Sequence, residues 1–211
     1  MIQTRPSSPP PRLVAAAQAY VGAGWPVAPG SWWDLAHGRY QCTQAGCTTE
    51  AMHPTLAEAT GSATSRCQVS ATQASTRDLG AVAARWGRWP YAVLLPTGYV
   101  ADVVELREPA ARRVLAVLAE YDQLGPVAAV PDGRVLLFTE VAIPLDSDLI
   151  AEFTAAGALH HGRGSWVPLP PSRLAAGPVE WTESPGTTQW ELLSLDMVAD
   201  ALRLARLRGE R

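Results

Sequence analysis

The order of apolar and polar positions divides the chain into helical stretches separated by short β-rich runs. Leu13, Ala16, Ala17, Tyr20 and Val21 recur at helical spacing, and Gly22 and Gly24 end that helix. Residues 25–28 read as a short strand. Ser75-Thr76-Arg77-Asp78 opens a second helix with a hydroxyl cap and an acid in the first turn, and Leu79, Val82, Ala83 and Trp86 form its buried face. Two strands, 91–95 and 100–106, are joined at Pro96-Thr97-Gly98. Pro109 stands where a helix can begin, with Ala110, Val114, Leu115, Leu118 and Tyr121 on its apolar side. Residues 127–130 and 135–138 predict a hairpin around Pro131-Asp132-Gly133. A short helix over 149–156, an irregular hairpin over 160–167 and a strand at 179–181 follow. The pattern closes with an amphipathic helix over 188–209, carrying Leu192, Leu195, Val198, Ala201 and Leu202 on one side and Arg203, Arg206 and Arg208 near its end. Helices interleaved with strands in this order predict an α+β (mixed α/β) fold.

Two segments stand outside the pattern. Residues 1–11, rich in Pro and Ser, have little to bury and are expected to be a disordered lead-in. Residues 29–73 show weak periodicity but hold all three cysteines and two of the four histidines, and a loop of that length calls for a cross-link or a function. An odd number of cysteines does not fit a secreted disulfide framework, so a thiol or metal role is the better expectation. The net charge of -3 argues against sequence-independent coating of DNA, and nucleic-acid contact must be local. No run is long and apolar enough for a membrane span, and the N-terminus lacks a basic-then-apolar signal pattern. A cytoplasmic protein with no membrane partner is expected.

Several short motifs then occur in a telling order. Gly24-Trp25-Pro26-Val27 is followed by Ala74-Ser75-Thr76-Arg77-Asp78, by Arg85-Trp86-Gly87-Arg88-Trp89-Pro90, by Leu95-Pro96-Thr97-Gly98 and by Pro170-Pro171-Ser172. In this order and spacing the chain, over about residues 12–182, resembles the N-terminal domain of bifunctional DNA primase/polymerases, the prim-pol branch of the archaeo-eukaryotic primases. The resemblance implies an RRM-like half packed on a smaller α/β half, and transfer of nucleotides to a DNA-templated strand with Mg2+ or Mn2+. It also implies single-stranded or template DNA, nucleotides and replication proteins such as a helicase as partners.

Nucleotidyl transfer needs two hard cations clamped by carboxylates, and an Asp-x-Asp on a strand works because residues two apart share a face. Here the corresponding stretch reads Glu105-Leu106-Arg107, in which a cation replaces the second acid. The nearest alternative pair, Asp102 and Glu105, is three apart and would meet only across a bulge. The family's histidine falls at Val135 and its third carboxylate near Leu159, with His161 in place of an arginine. The chain is therefore expected to keep the fold with vestigial catalytic residues Asp102 and Glu105. Its cleft candidates are Arg134, His161, Arg163 and Trp166. The function expected is a DNA- or nucleotide-binding accessory module in replication. One alternative is an active metal-dependent nucleotidyltransferase, and another is an interaction module docking through the C-terminal helix.

The cysteine segment resembles a Cys-x-Cys-x4-Cys-x5-His-Pro insertion of some prim-pol members. Cys42, Cys47 and His53 match it, and Tyr40 stands at the first cysteine. These residue types suit structural zinc, with Cys67, His37 or Glu50 as candidate fourth ligands. The bland reading is a vestigial loop with reduced thiols. The tryptophans also divide, since Trp25, Trp86 and Trp89 sit on faces expected to be buried, whereas Trp32, Trp33 and Trp166 are expected in loops.

Overall fold

The computed structural model describes residues 11–44, 46–56, 69–142 and 146–209, so all of the expected lead-in over 1–11 except Pro11, which is helical, and also Cys67 lie outside the described residues. In chain order the elements begin with α1 (Pro11–Gly22), β1 (Ala28–Gly30), β2 (Trp32–Asp34), β3 (Arg39–Gln41), α2 (Ala71–Ala74), α3 (Leu79–Trp86) and β4 (Ala92–Pro96). They continue with β5 (Asp102–Arg107), α4 (Ala110–Glu120), β6 (Val127–Val130), β7 (Arg134–Thr139), α5 (Ser147–Ala155) and β8 (Leu159–His161). The last are β9 (Trp166–Leu169), β10 (Arg173–Leu174), β11 (Gly177–Pro178), β12 (Glu180–Glu183) and α6 (Leu195–Gly209). The α+β class is as the sequence pattern predicts.

The chain forms two compact units, one of Met1–Pro96 with Gly164–Val179 and the other of Thr97–Arg163 with Glu180–Arg211. The first is built on an antiparallel sheet in the order β1-β4-β9. Its central strand is buried along its whole length, which suits the continuous apolar run Ala92-Val93-Leu94-Leu95. Trp86, wholly buried, donates its indole N–H to the Tyr91 carbonyl at 3.0 Å, and Tyr20 donates its hydroxyl to the Pro170 carbonyl at 2.6 Å. The Pro-Pro-Ser motif has a structural task here. Ser172 Oγ accepts from the Val93 N–H at 2.8 Å and donates to the Val93 carbonyl at 3.1 Å, satisfying both backbone groups of a buried strand residue.

In the second unit the succession β5-α4-β6-β7-α5-β8 is a βαββαβ run whose strands lie in the order β6-β7-β5-β8, with β12 added beside β6 and every pairing antiparallel. That is the RRM-like topology the resemblance implies. Strand alternation sends Val104 and Leu106 of β5 and Val135 and Leu137 of β7 into one apolar core with Val114, Val117 and Leu118 of α4 and Phe153 of α5.

Helix α6 joins the same core through Val198, Ala199, Ala201, Leu202 and Ala205, and Arg208 binds both oxygens of Glu120 at 2.8 Å. This corrects the docking alternative, because the apolar face it required is already covered within the unit. The helix also starts later than its periodicity predicts. Leu193 instead bridges Thr139 in a parallel pairing, with the Glu140 N–H donated to its carbonyl at 2.8 Å. A second correction concerns residues 160–167, which do not form a hairpin: β8 pairs with β5, and β9 pairs with β4 in the other unit. Trp32, Trp33 and Trp166 lie on strands rather than in loops.

Candidate functional site

Among the described residues, two constellations carry chemistry-bearing side chains. The first lies on β5 and its neighbours. The register of β5 against β7 runs unbroken from Asp102↔Thr139 to Arg107↔Arg134, so no bulge brings the two acids together. Asp102 shares the helix-covered face with Val104 and Leu106, and Glu105 points to the opposite face with Val103 and Arg107. The alternative that relied on a bulge at Asp102 and Glu105 is thereby corrected.

Each acid has its own histidine. Adjacent residues on a strand also point to opposite faces, and His160 and His161 are divided by that rule. His160 Nε2 lies 3.0 Å from Asp102 Oδ2, which also accepts the Ala142 N–H at 3.2 Å. Asp102 is only 2% exposed. Its other oxygen, Oδ1, and the hydroxyl of Thr139, its register partner, have no hydrogen-bond partner among the described residues. On the opposite face His161 Nε2 lies 3.2 Å from Glu105 Oε2, and Arg134 Nη1 donates to the same oxygen at 3.1 Å. Arg134 Nε is shared between both oxygens of Asp132 at 2.9 Å. Burial pushes the Glu105 carboxyl up, but the His161 hydrogen bond and the Arg134 charge outweigh it and hold the group below its ordinary value.

A depressed folded-state value means that Glu105 contributes stability above its unfolded value of about 4.5 and loses it as the pH falls through the lower folded value. Glu105→Gln, which has no such titration, is expected to flatten the acid limb of a stability-against-pH curve below about pH 4.5. Urea midpoints at pH 3 to 6 read this directly, and equal slopes for the two proteins would contradict the assignment.

The strand β8 that carries both histidines is fixed by the Pro-Thr-Gly turn. Thr97, fully buried, donates its hydroxyl to the Gly162 carbonyl at 2.6 Å. Gly98 has φ +83° and packs so closely that a Cβ there would lie 2.3 Å from Arg163 Cα. A Cβ on Gly162 would lie 2.8 Å from His160 Cε1, so that glycine leaves room for the ring that reaches Asp102. Arg163 is exposed, its guanidinium carbon 5.5 Å from the centre of the Tyr99 ring. The predicted cleft residues thus separate: Arg134 and His161 are engaged with Glu105, Arg163 lies over Tyr99, and Trp166 packs against the Ala28, Ala74 and Leu94 cluster of the first unit.

The family model described as bifunctional DNA primase/polymerase, N-terminal, matches residues 17–198. This chain belongs to that family. No curated protein and no solved structure matches it significantly. Glu105 and Arg107, two residues apart on β5, share one face, and the second of them is a cation.

The second constellation is the predicted Cys/His loop. Hairpin β2-β3 is closed by Asp34, which accepts from the Ala36 N–H at 2.9 Å and contacts His37 Nδ1 at 2.6 Å and Gln41 Nε2. Cys42 follows directly. His53-Pro54-Thr55 lies beside β1, with the Ser31 N–H donated to the His53 carbonyl and the Thr55 N–H to the Pro29 carbonyl, both at 2.9 Å. One donor atom from each of Cys42, Cys47 and His53 lies within 4.8 Å of the others. His53 Nδ1 donates to the Ala51 carbonyl at 2.7 Å, which leaves the Nε2 lone pair facing Cys47 Sγ at 3.6 Å. Burial holds the His53 imidazole below its usual range, despite that hydrogen bond, and so favours the neutral ring a metal requires. The donor set fits a metal ion. His37 is committed to Asp34, Glu50 is exposed, and both line the same cavity of about 950 Å³ as the three donors.

Sequence reasoning missed the division of the two histidines. The available signal was parity: acids three apart and histidines one apart each place one member on either face, provided β8 is recognised as the neighbour of β5.

Proposed function

We propose that this prim-pol domain no longer transfers nucleotides and acts as a DNA- or nucleotide-binding accessory module beside replication proteins, with structural zinc in its Cys/His loop. The observation that carries the reading is the placement of Asp102 and Glu105 on opposite faces of an unbroken strand. Two-cation chemistry needs carboxylates converging on one point. Here Glu105 shares its face with Arg107, and its charge is already matched by His161 and Arg134.

The binding half of the reading is supported by family membership and by Arg163, an exposed cation beside an aromatic ring, as contacts to single-stranded nucleic acid require. Calorimetric titration with short single-stranded DNA and with dNTPs, each with and without Mn2+, tests it. The expected outcome is metal-independent DNA binding, weakened by Arg163→Glu, with no metal-dependent nucleotide binding. Metal-dependent dNTP binding, or DNA affinity unchanged by Arg163→Glu, would count against it. Arg134 is a poor site for that test, because an acid there would face both Glu105 and Asp132.

Zinc is favoured by the soft donor set, two sulfurs and an imidazole, which suits neither Mg2+ nor Ca2+. Bound zinc would cross-link the ends of the loop to β1. Purified protein is expected to carry about one zinc per chain, in line with a structural centre, and Cys47→Ser and His53→Ala to fall well below stoichiometric content. Elemental analysis after extensive dialysis checks this, and a metal content equal in all three proteins would remove the centre from the account.

A further inference from the structure

The Cys42–Cys47 pair carries more than a metal reading requires. Cys42 is 2% exposed, whereas Cys47 is half-buried, and both line the wall of the cavity of about 950 Å³ together with Gln44, Thr48 and His53. Their sulfurs lie within 4.8 Å of each other, and the Cys47 N–H is donated to the Gln44 carbonyl at 3.3 Å, which turns the chain back just after Cys42. With only four residues between the two thiols, joining the sulfurs closes a short loop and asks for little further ordering. The histidine beside them is held independently, by its bond to Ala51 and by the Ser31 hydroxyl, which accepts the His53 N–H at 3.1 Å. The sulfurs can therefore move together while His53 stays in place.

We propose that Cys42 and Cys47 are a modification site for hydroperoxides, with Cys47 attacked first and Cys42 the resolving thiol. The Cys47 sulfur attacks the O–O bond of hydrogen peroxide, giving a sulfenic acid and one water. The Cys42 sulfur then displaces the hydroxyl from Cys47, the S–S bond forms and a second water leaves. Two thiols are oxidised, one peroxide is reduced, and the two thiol hydrogens end in the two waters. Exposure sets the order, because Cys47 is half-buried whereas Cys42 is only 2% exposed, so an oxidant in the cavity reaches Cys47 more readily. Closing the bond withdraws two of three donors, so a metal held there is released. That release rests on the zinc reading above, and the disulfide does not.

The test uses the full chain carrying Cys67→Ser, so that the third thiol cannot pair, in metal-free and zinc-loaded forms, treated with a small excess of hydrogen peroxide. Peptide mapping is expected to show loss of two hydrogens and a Cys42–Cys47 linked peptide in the metal-free form. In the zinc-loaded form, zinc should appear in solution, measured with a chromogenic chelator, in step with the disulfide. In a further Cys42→Ser chain the reaction should stop at Cys47 sulfenic acid, trapped by dimedone. Cys47 over-oxidised to sulfinic acid while Cys42 remains alkylatable would overturn the proposal. So would unreacted thiols at peroxide doses that oxidise glutathione. A chain that binds no zinc yet forms the disulfide would remove the zinc reading alone.

Discussion

Replacing Gly98 with alanine is expected to destabilise the protein by about 3 kcal/mol, combining a left-handed backbone position with an overlap that side-chain rotation cannot relieve. The atoms in the way are backbone: Arg163 Cα at 2.3 Å and Arg163 N at 2.5 Å from the added methyl. Relief means moving β8 or the Pro-Thr-Gly turn, and either shift pulls the Thr97 hydroxyl from the Gly162 carbonyl. Gly133 supplies the comparison. Its φ of +86° imposes the same conformational cost, but no atom lies within 4 Å of the added Cβ. Gly133→Ala should therefore cost only about 1 kcal/mol. Thermal midpoints would fall by roughly 6 to 12 °C for Gly98→Ala and by a few degrees for Gly133→Ala. Equal losses would show that the close approach to Arg163 contributes nothing.

Asp102→Ala is the second large effect, expected at about 3 kcal/mol, because removing one partner of a buried pair leaves the other polar group uncompensated. The carboxylate is 2% exposed and holds both His160 and the Ala142 N–H. Asp102→Asn keeps the volume and can still meet both neighbours, so a cost of about 1 kcal/mol is expected, that of one weakened hydrogen bond. Glu105→Ala should cost about 1 kcal/mol as well, since Arg134 keeps Asp132 and the pair is less deeply buried. A double-mutant cycle between Asp102 and His160 isolates their coupling, and denaturant melts give each value. Equal costs for Asp102→Ala and Glu105→Ala would mean that the helix-covered face does not treat its acid as buried structure.

Much of this arrangement was legible in the residues. The βαββαβ half follows from apolar runs whose periods alternate between two and 3.6, and the hairpin at Pro131-Asp132-Gly133 follows from turn chemistry. The Cys42, Cys47 and His53 cluster was visible as spacing, because metal-ligand patterns are local in sequence. The opposed placement of Asp102 and Glu105 follows from strand alternation alone. The partners of those acids were not legible. Which strand neighbours β5 is decided by pairing across more than fifty residues, and His160 and His161 read only as the start of a local hairpin until β8 is seen beside β5. For the same reason the supposed hairpin at 160–167 failed: its two arms belong to different sheets, and local turn signals do not say which sheet a strand joins. The C-terminal helix had an apolar face that any partner could cover, and only the fold identifies α4 and α5 as the cover.

The central claim is that β5 no longer assembles a metal clamp. The most direct measurement is template-directed synthesis by the purified full chain, with labelled dNTPs and NTPs, with and without a primer, and with Mg2+ or Mn2+. An active prim-pol preparation serves as the positive control. No extension above the no-enzyme background is expected with either metal. Metal-dependent extension that disappears in Glu105→Gln would contradict the account, since it would show Glu105 holding a catalytic cation despite Arg107 on its own face.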